Sequence, residues 1–597
     1  MRSKPRIRSA GLPAAALALL VLAGLAGTAT AQEAKVPVDT VTLDNGMTLL
    51  MVERPDSPTV SGGWVTHVGS ANETYGVTGI AHLFEHMMFK GSSTIGTTDW
   101  ESEAKIMAQL DEIRVQMEEE YNLLREAKRR GEVTGSIYLP ENQTERLSEL
   151  RAQMQKLQEE QRTLIVKDEF DKVYTAFGGS GLNAFTNYDM TAYFITVPAN
   201  KLELWFWMES ERLLNPVFRE FYSERDVVRE ERRMRVESDP TAKFEEQFDA
   251  MFWGSIPYHH PVIGWPSDVE SISREAANEF FATYYAPNNI TAALVGDFDV
   301  DQAVKLAKTY FERIPRGPKA PPPVVTEEIE QLQVRRMSAD ADTNPSVQIR
   351  WHTVPFVHKD RYALDVLADL LRGRTGRLYK SLVEEKEIAS GQPYAYNQAM
   401  KYGGAFEIGA ELAEDAGHEQ VESALLAEID RMQSQPVGDR ELQKVKNQNL
   451  ADSFRRLQSN FFLLIQLLYY DALGDWQELN TAPARLAAVT ADDVQRVASE
   501  YLTDTGMNVL WYNRKEGTAE DPELAALEGQ AKQIAKQALA GLETVDDPAQ
   551  LEAAVTQMEA ALATVPEEVK PGVELVIKRA RERIETLRAA EGAGEEG

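Results

Sequence analysis

The sequence predicts an α+β fold built from two related lobes, each an antiparallel sheet packed with helices, joined by a proline-rich linker. Three observations carry this. Residues 41–49 alternate apolar and polar around Asn45-Gly46, a strong hairpin signal, and residues 60–68 read as a further strand before a helical pattern. A Ser/Thr-initiated helix followed by a strand recurs. Ser273-Arg274-Glu275 leads to Tyr284 before a strand at 290–296, and Thr490-Ala491-Asp492 leads to Tyr501 at the same offset before a strand at 507–512. Between the two halves, residues 316–323 read Arg-Gly-Pro-Lys-Ala-Pro-Pro-Pro, which suits a linker and, if the lobes are independent, a hinge.

Taken in order, the chain opens on a segment outside the fold. Arg2, Lys4, Arg6 and Arg8 precede an apolar run at 12–27, and Ala29-Thr30-Ala31 is a small-residue cleavage site. Residues 1–31 therefore read as an export signal, and the mature protein is expected in the periplasm or outside the cell. The first lobe spans 36–316. Within it, residues 101–168 are rich in Glu, Lys, Arg and Gln and carry two apolar stripes. Ile106, Leu110, Ile113, Met117, Tyr121 and Leu124 form one; Leu147, Leu150, Met154, Leu157 and Leu164 form the other. Gly135 and Pro140 fall between the stripes, predicting an antiparallel helical hairpin inserted in the lobe. The linker covers 317–334, the second lobe 335–517, and an Ala/Glu/Lys-rich helical extension 518–597, with Pro522, Pro548 and Pro571 placed as helix starts.

Composition narrows the function. The 597 residues carry 63 basic against 94 acidic side chains, a net charge of −31, which argues against nucleic acid as a partner. Without cysteine there can be no disulfide, and any metal must be held by His and carboxylates. No stretch after the signal is long and apolar enough for a stable membrane span.

The chemistry concentrates in Gly-Ile-Ala-His-Leu-Phe-Glu-His-Met-Met-Phe-Lys-Gly at 79–91. His82 and His86 stand at i and i+4, so a helix projects both imidazoles from one face, with Glu85 beside them. Two imidazoles suit Zn2+, and a nearby carboxylate can take a proton from water activated there; this order is H-x-x-E-H, the inverted zinc-peptidase motif. Later, residues 178–194 place a glycine cluster before a polar and aromatic strand, and Glu224 and Glu231 share one face of a charged helix. On their own these read equally as an ordinary turn and strand and as a solvated helix face. His67, His259, His260, His352, His358 and His418 read as structural or exposed.

With these pieces placed, the chain resembles the pitrilysin/insulinase family of zinc peptidases, closest to the branch of the mitochondrial processing peptidase and its bacterial relatives. Four stretches carry the resemblance: HLFEHMMFKGS at 82–92, GGSGLNAFTNYDMTAYF at 178–194, ERDVVREE at 224–231 and YYAPNNITAALVGDFD at 284–299. It covers about residues 36–517, apart from the hairpin insertion. It implies that His82, His86 and Glu231 ligate one Zn2+, that Glu85 is the catalytic base, and that Glu224 supports the site. Asn183, Ala184 and Phe185 match the edge strand on which a peptide substrate lies extended, as strand addition requires.

Two departures stand out. The separation of His86 from Glu231 is unusually long, and the hairpin accounts for the excess. The Arg and Tyr that active members often carry in a C-terminal lobe are missing, the corresponding positions being Val383 and Ser390. Because this branch can split the metal motif and that pair between subunits, the resemblance implies a hetero-oligomer with a related chain carrying them, or a homodimer. The expected activity is zinc-dependent endopeptidase action on peptides or unfolded segments; the alternative is a non-catalytic, peptide-binding scaffold of the same fold.

Overall fold

The computed structural model describes residues 35–515 and, beyond them, 522–527, 529–542, 545, 547–562 and 565–594. The export signal expected at 1–31 lies outside the described residues. Residues 512–597 with 340–344 form a compact unit distinct from the rest. Its helices are Pro522–Ala525, Gly529–Leu542, Pro548–Ala561 and Lys570–Gly594, with Leu551, Val555, Ile577, Ala580 and Ile584 in one core.

The first sheet has six strands: β1 (Asp39–Thr42), β2 (Thr48–Glu53), β3 (Thr59–Thr66), β4 (Ser180–Thr186), β5 (Thr191–Pro198) and β6 (Ile290–Gly296), in the order β1-β2-β6-β3-β5-β4. The hairpin at Asn45-Gly46 forms, with Gly46 at φ +93° and Asn45 Nδ2 donating to the Phe311 and Ile314 carbonyls. The second sheet runs β7-β11-β8-β10-β9, from β7 (Arg335–Ala341), β8 (Ser346–Thr353), β9 (Ala389–Ala399), β10 (Gly404–Leu412) and β11 (Asn508–Arg514). Setting β1 aside, both sheets follow one order in which the last strand of the lobe inserts beside the first. The helices before β6 and β11, Arg274–Tyr284 and Ala491–Tyr501, match as well. Ser273 caps one, and Thr490 forms a capping box with Asp493 on the other. Contrary to an all-antiparallel expectation, β2 and β6 pair in parallel, because β6 returns to the sheet through a long helical crossover.

The hairpin insertion consists of the helices Trp100–Arg129 and Glu145–Arg162. Its ends are clasped where the chain leaves and returns: Thr98 N donates to the Leu164 carbonyl at 2.8 Å, and Thr97 bridges Ile165. All six residues of the first stripe are buried and continuous with the core of the lobe.

The expectation of a hinge fails. The helix Asn460–Leu473 belongs by sequence to the second half, yet Leu463, Leu464, Leu467 and Leu468 pack into Leu50, Val52, Val65, Ala192, Ala293 and Val295 on the face of the first sheet. Burying that many aliphatic side chains stabilises the union by roughly 1.5–3 kcal/mol each. Polar contacts add to it. Asp189 accepts from Tyr258 Oη at 2.7 Å and from the Lys401 amide at 3.1 Å, Arg350 reaches Asp249 at 2.5 Å, and Phe252 stacks on His352 at 3.9 Å. The two lobes are one body. Leu467→Ala, which opens a cavity between them, should cost about 2–5 kcal/mol, read as a lower urea midpoint of the folded protein.

Candidate metal centre

The motif helix, Ile80–Met87, starts where the chain turns through Gly79 at φ +91°. A side chain there would strike the Ile263 carbonyl, with a Cβ 2.6 Å from the oxygen. Gly79 offers no side chain to cap the helix, so Glu73 does it. Its carboxylate accepts from the Gly79 and Ala81 amides, both at 2.8 Å. Glu73 is fully buried, and burial pushes its carboxyl well up against the opposing pull of those amides.

His82 and His86 leave the helix one turn apart, ring centroids 5.0 Å from each other. The acidic helix, Phe221–Arg232, lies alongside and contributes Glu224 and Glu231 from one face. Glu231 Oε2 lies 3.7 Å from His82 Nε2 and 3.4 Å from His86 Nε2, and the three donor atoms fall within 4.8 Å of one another. Among the described residues this is the cluster of three able to hold a metal ion.

The surroundings orient each donor. Glu224 Oε2 stands 3.5 Å from His86 Nδ1, leaving Nε2 for the centre, and Glu224 Oε1 is held by Lys90 Nζ at 2.5 Å. Arg235 Nη1 takes Glu231 Oε1 at 3.0 Å, which turns Oε2 towards the imidazoles. Carboxylates behind ligating imidazoles are the arrangement that fixes tautomer and ring direction at zinc sites.

Electrostatics follow. Burial, reinforced by His86, pushes His82 down to about 4. Burial opposes charge on His86 too, but its hydrogen bonds to Glu224 and Glu231 outweigh this and raise it to about 9. The hydrogen bond from His86 holds Glu231 below the usual carboxylate range. Burial raises the Glu85 carboxyl, against the pull of Thr186 and His86. Thr186 closes β4, so Glu85 sits between the imidazoles and that strand.

β4 is the last strand of its sheet, and among the described residues one of its edges carries no strand partner. On it Asn183 is exposed, Ala184 buried and Phe185 half-buried. The Ala184 amide donates to Asn183 Oδ1 at 2.9 Å. A bulge lies between Ser180 and Asn183, with Gly181 in open space at φ +68°. In the second lobe, Val383 packs against the core and Ser390 lies on β9.

The other histidines lie apart from this cluster. His67 meets Asp471 at 3.0 Å, His260 lies 3.7 Å from Glu73, His352 is stacked on Phe252, and His259 hydrogen-bonds Tyr75. Glu73, Lys90, Arg235 and Thr186 were not singled out by sequence reasoning. Lys90 stood inside the motif and Thr186 inside the 178–194 stretch; Glu73 and Arg235 act through contacts that no spacing announces.

Comparison with known proteins places the chain's family and fold. The family model described as insulinase (peptidase family M16) matches residues 48–127, and the one described as the peptidase M16 inactive domain matches 271–449. The Helicobacter pylori zinc protease PqqE is 27% identical over 477 residues, covering 78% of this chain and 90% of that one. The chain belongs to the pitrilysin/insulinase peptidase family. An uncharacterized zinc protease of Mycobacterium leprae is 32% identical over 219 residues, 35% of this chain and 48% of that one. The crystal structure of a Helicobacter pylori protease shares the fold with a TM-score of 0.64 at 24% identity, covering 80% of this chain and 99% of that one. The periplasmic protease PqqL of Escherichia coli shares it at 0.59 and 18% identity, but this chain, 81% covered, spans only 48% of PqqL.

The donor set suits the metal that the family's members are named for. Ligands about 2 Å from a tetrahedral zinc ion stand ~3.3 Å apart, close to the spacings of Glu231 Oε2 from both imidazoles. Glu73→Ala would leave two buried helix-start amides without a partner. It should lower stability by about 1–3 kcal/mol in urea unfolding.

Proposed function

We propose that this family member is a zinc-dependent endopeptidase, with His82, His86 and Glu231 holding one Zn2+ and Glu85 acting as the base. The observation that carries the reading is the convergence of Glu231, from a helix far along the chain, on two imidazoles beside a carboxylate of raised pKa. Zinc bound there would supply Lewis acidity, polarising the scissile carbonyl and making water easier to deprotonate.

The chain's own groups do the rest. Glu85 takes a proton from the attacking water and returns it to the leaving amide nitrogen; a raised pKa suits a group that must both accept and give. Glu224 keeps His86 Nδ1 occupied, and Arg235 keeps Glu231 turned inward. The substrate adds as a strand on the free edge of β4, where the Ala184 amide can exchange its internal partner, Asn183, for a peptide carbonyl. Strand addition reads backbone rather than side chains, so peptides and unfolded segments are the substrate class.

The missing Arg/Tyr pair belongs, on this reading, to a partner. This chain corresponds to about half of PqqL and, at 16% identity and a TM-score of 0.58, to 45% of pitrilysin, which supports assembly with a related subunit. The residue 1–31 signal and the periplasmic location named for PqqL support export to the periplasm. A scaffold without catalysis is the second reading, favoured by Val383 and Ser390 at the pair's positions.

Elemental analysis should find one zinc per chain, lost in His82→Ala and Glu231→Ala. Glu85→Gln should keep the zinc and lose about 10²- to 10⁴-fold in peptide turnover. Undiminished turnover in that variant would remove Glu85 from its role, and a zinc-free parent would leave only the scaffold. Cleavage of a mixed peptide library should rise sharply when a related subunit carrying Arg and Tyr is added. Full activity of the single chain would exclude the partner.

A further inference from the structure

Outside the donor set, a fully buried ion pair near the site joins the hairpin insertion to it. Arg219, 1% exposed, directs Nε to Glu103 Oε1 at 2.7 Å, and Glu103 is 0% exposed. Glu103 sits on the first hairpin helix. From the second, Gln161 Nε2 donates to the same carboxylate oxygen at 3.1 Å. The other end of the guanidinium threads the loop that leaves the motif helix. Nη1 donates to the carbonyls of Lys90 at 2.5 Å and Ile95 at 3.1 Å, and Nη2 to that of Ser92 at 2.9 Å. The approach is so close that a Cβ on Gly96 would lie 2.7 Å from Nη1.

Arg219 also stands immediately before the acidic helix, between Phe218 at φ +43° and Glu220 at φ +57°, both left-handed and strained for residues with a Cβ. One side chain therefore ties the end of the helix bearing His82 and His86 to the start of the helix bearing Glu224 and Glu231. The loop it grips carries Lys90, whose Nζ holds Glu224 against His86.

We propose that Arg219 is a positioning residue for the metal donors, and that the base of the hairpin, through Glu103 and Gln161, is what holds Arg219 in place. The insertion is then a structural member of the centre at its base. This rests on the zinc reading above. A guanidinium is required because its planar fork serves a carboxylate and three carbonyls at once, which an ammonium cannot.

The test compares zinc affinity by chelator competition and the visible spectrum of the cobalt-substituted protein, with thermal melting to establish folding. Arg219→Lys should bind zinc 10- to 100-fold more weakly and change the cobalt spectrum while still melting cooperatively. If that variant does not fold, Lys90→Met decides: a loss of about tenfold in affinity, restored by Lys90→Arg, is the expected result. Glu132→Ala, exposed at the far turn, should leave both readouts unmoved. A folded Arg219→Lys or Lys90→Met protein with zinc affinity and spectrum like the parent's would overturn the proposal alone. A parent that binds no zinc would overturn the metal reading and this proposal with it.

Discussion

Everything at the centre depends on keeping one carboxylate against two imidazoles that the chain brings from far away. Glu231 Oε2 stands within 4 Å of both. Neither a seven-residue spacing nor a charged helix face could hold it there unaided. Two helices must be fixed in rotation and in slide, because one residue of slip on the acidic helix turns Glu231 about 100° away. The restraints are distributed over that length: Glu73 sets the start of the motif helix, Arg219 its end and the beginning of the acidic helix, and Arg235 the direction of the carboxylate itself.

The cost of assembling such a site is visible in its charges. Without metal, His82 is kept neutral by burial while His86 is held charged by two carboxylates, so neighbouring imidazoles on one helix are pushed in opposite directions. A divalent cation bound there would replace the proton that His86 holds and satisfy Glu231 at the same time. The surrounding network, Lys90 on Glu224 and Arg235 on Glu231, keeps the remaining carboxylate oxygens occupied, so the donors are arranged before a metal arrives.

The same economy runs through the scaffold. A repeated strand order gives each lobe an edge strand, β4 in one and β9 in the other, and the first of these lies beside Glu85. The helix Asn460–Leu473 then crosses from the second lobe to cover the first sheet, so the two halves share one apolar core.

How much of this was legible varies with the range of the interaction. Local periodicity and turn chemistry determined the hairpin at Asn45-Gly46, the inserted helix pair, the Ser273 and Thr490 caps, and the shared face of His82 and His86, because each depends on residues within about one turn of one another. The four-stretch resemblance added Glu231 and β4, which no local pattern would have selected. Only the tertiary structure decided the rest. An apolar helix cannot declare which sheet it will cover, and the hinge expected of the linker is overruled by the cluster that joins Leu467 to Ala293. No local pattern marks Glu103 on its acidic helix or Arg219 before another. That they meet, fully buried, follows from the packing of three elements, and the sequence holds no spacing that records it.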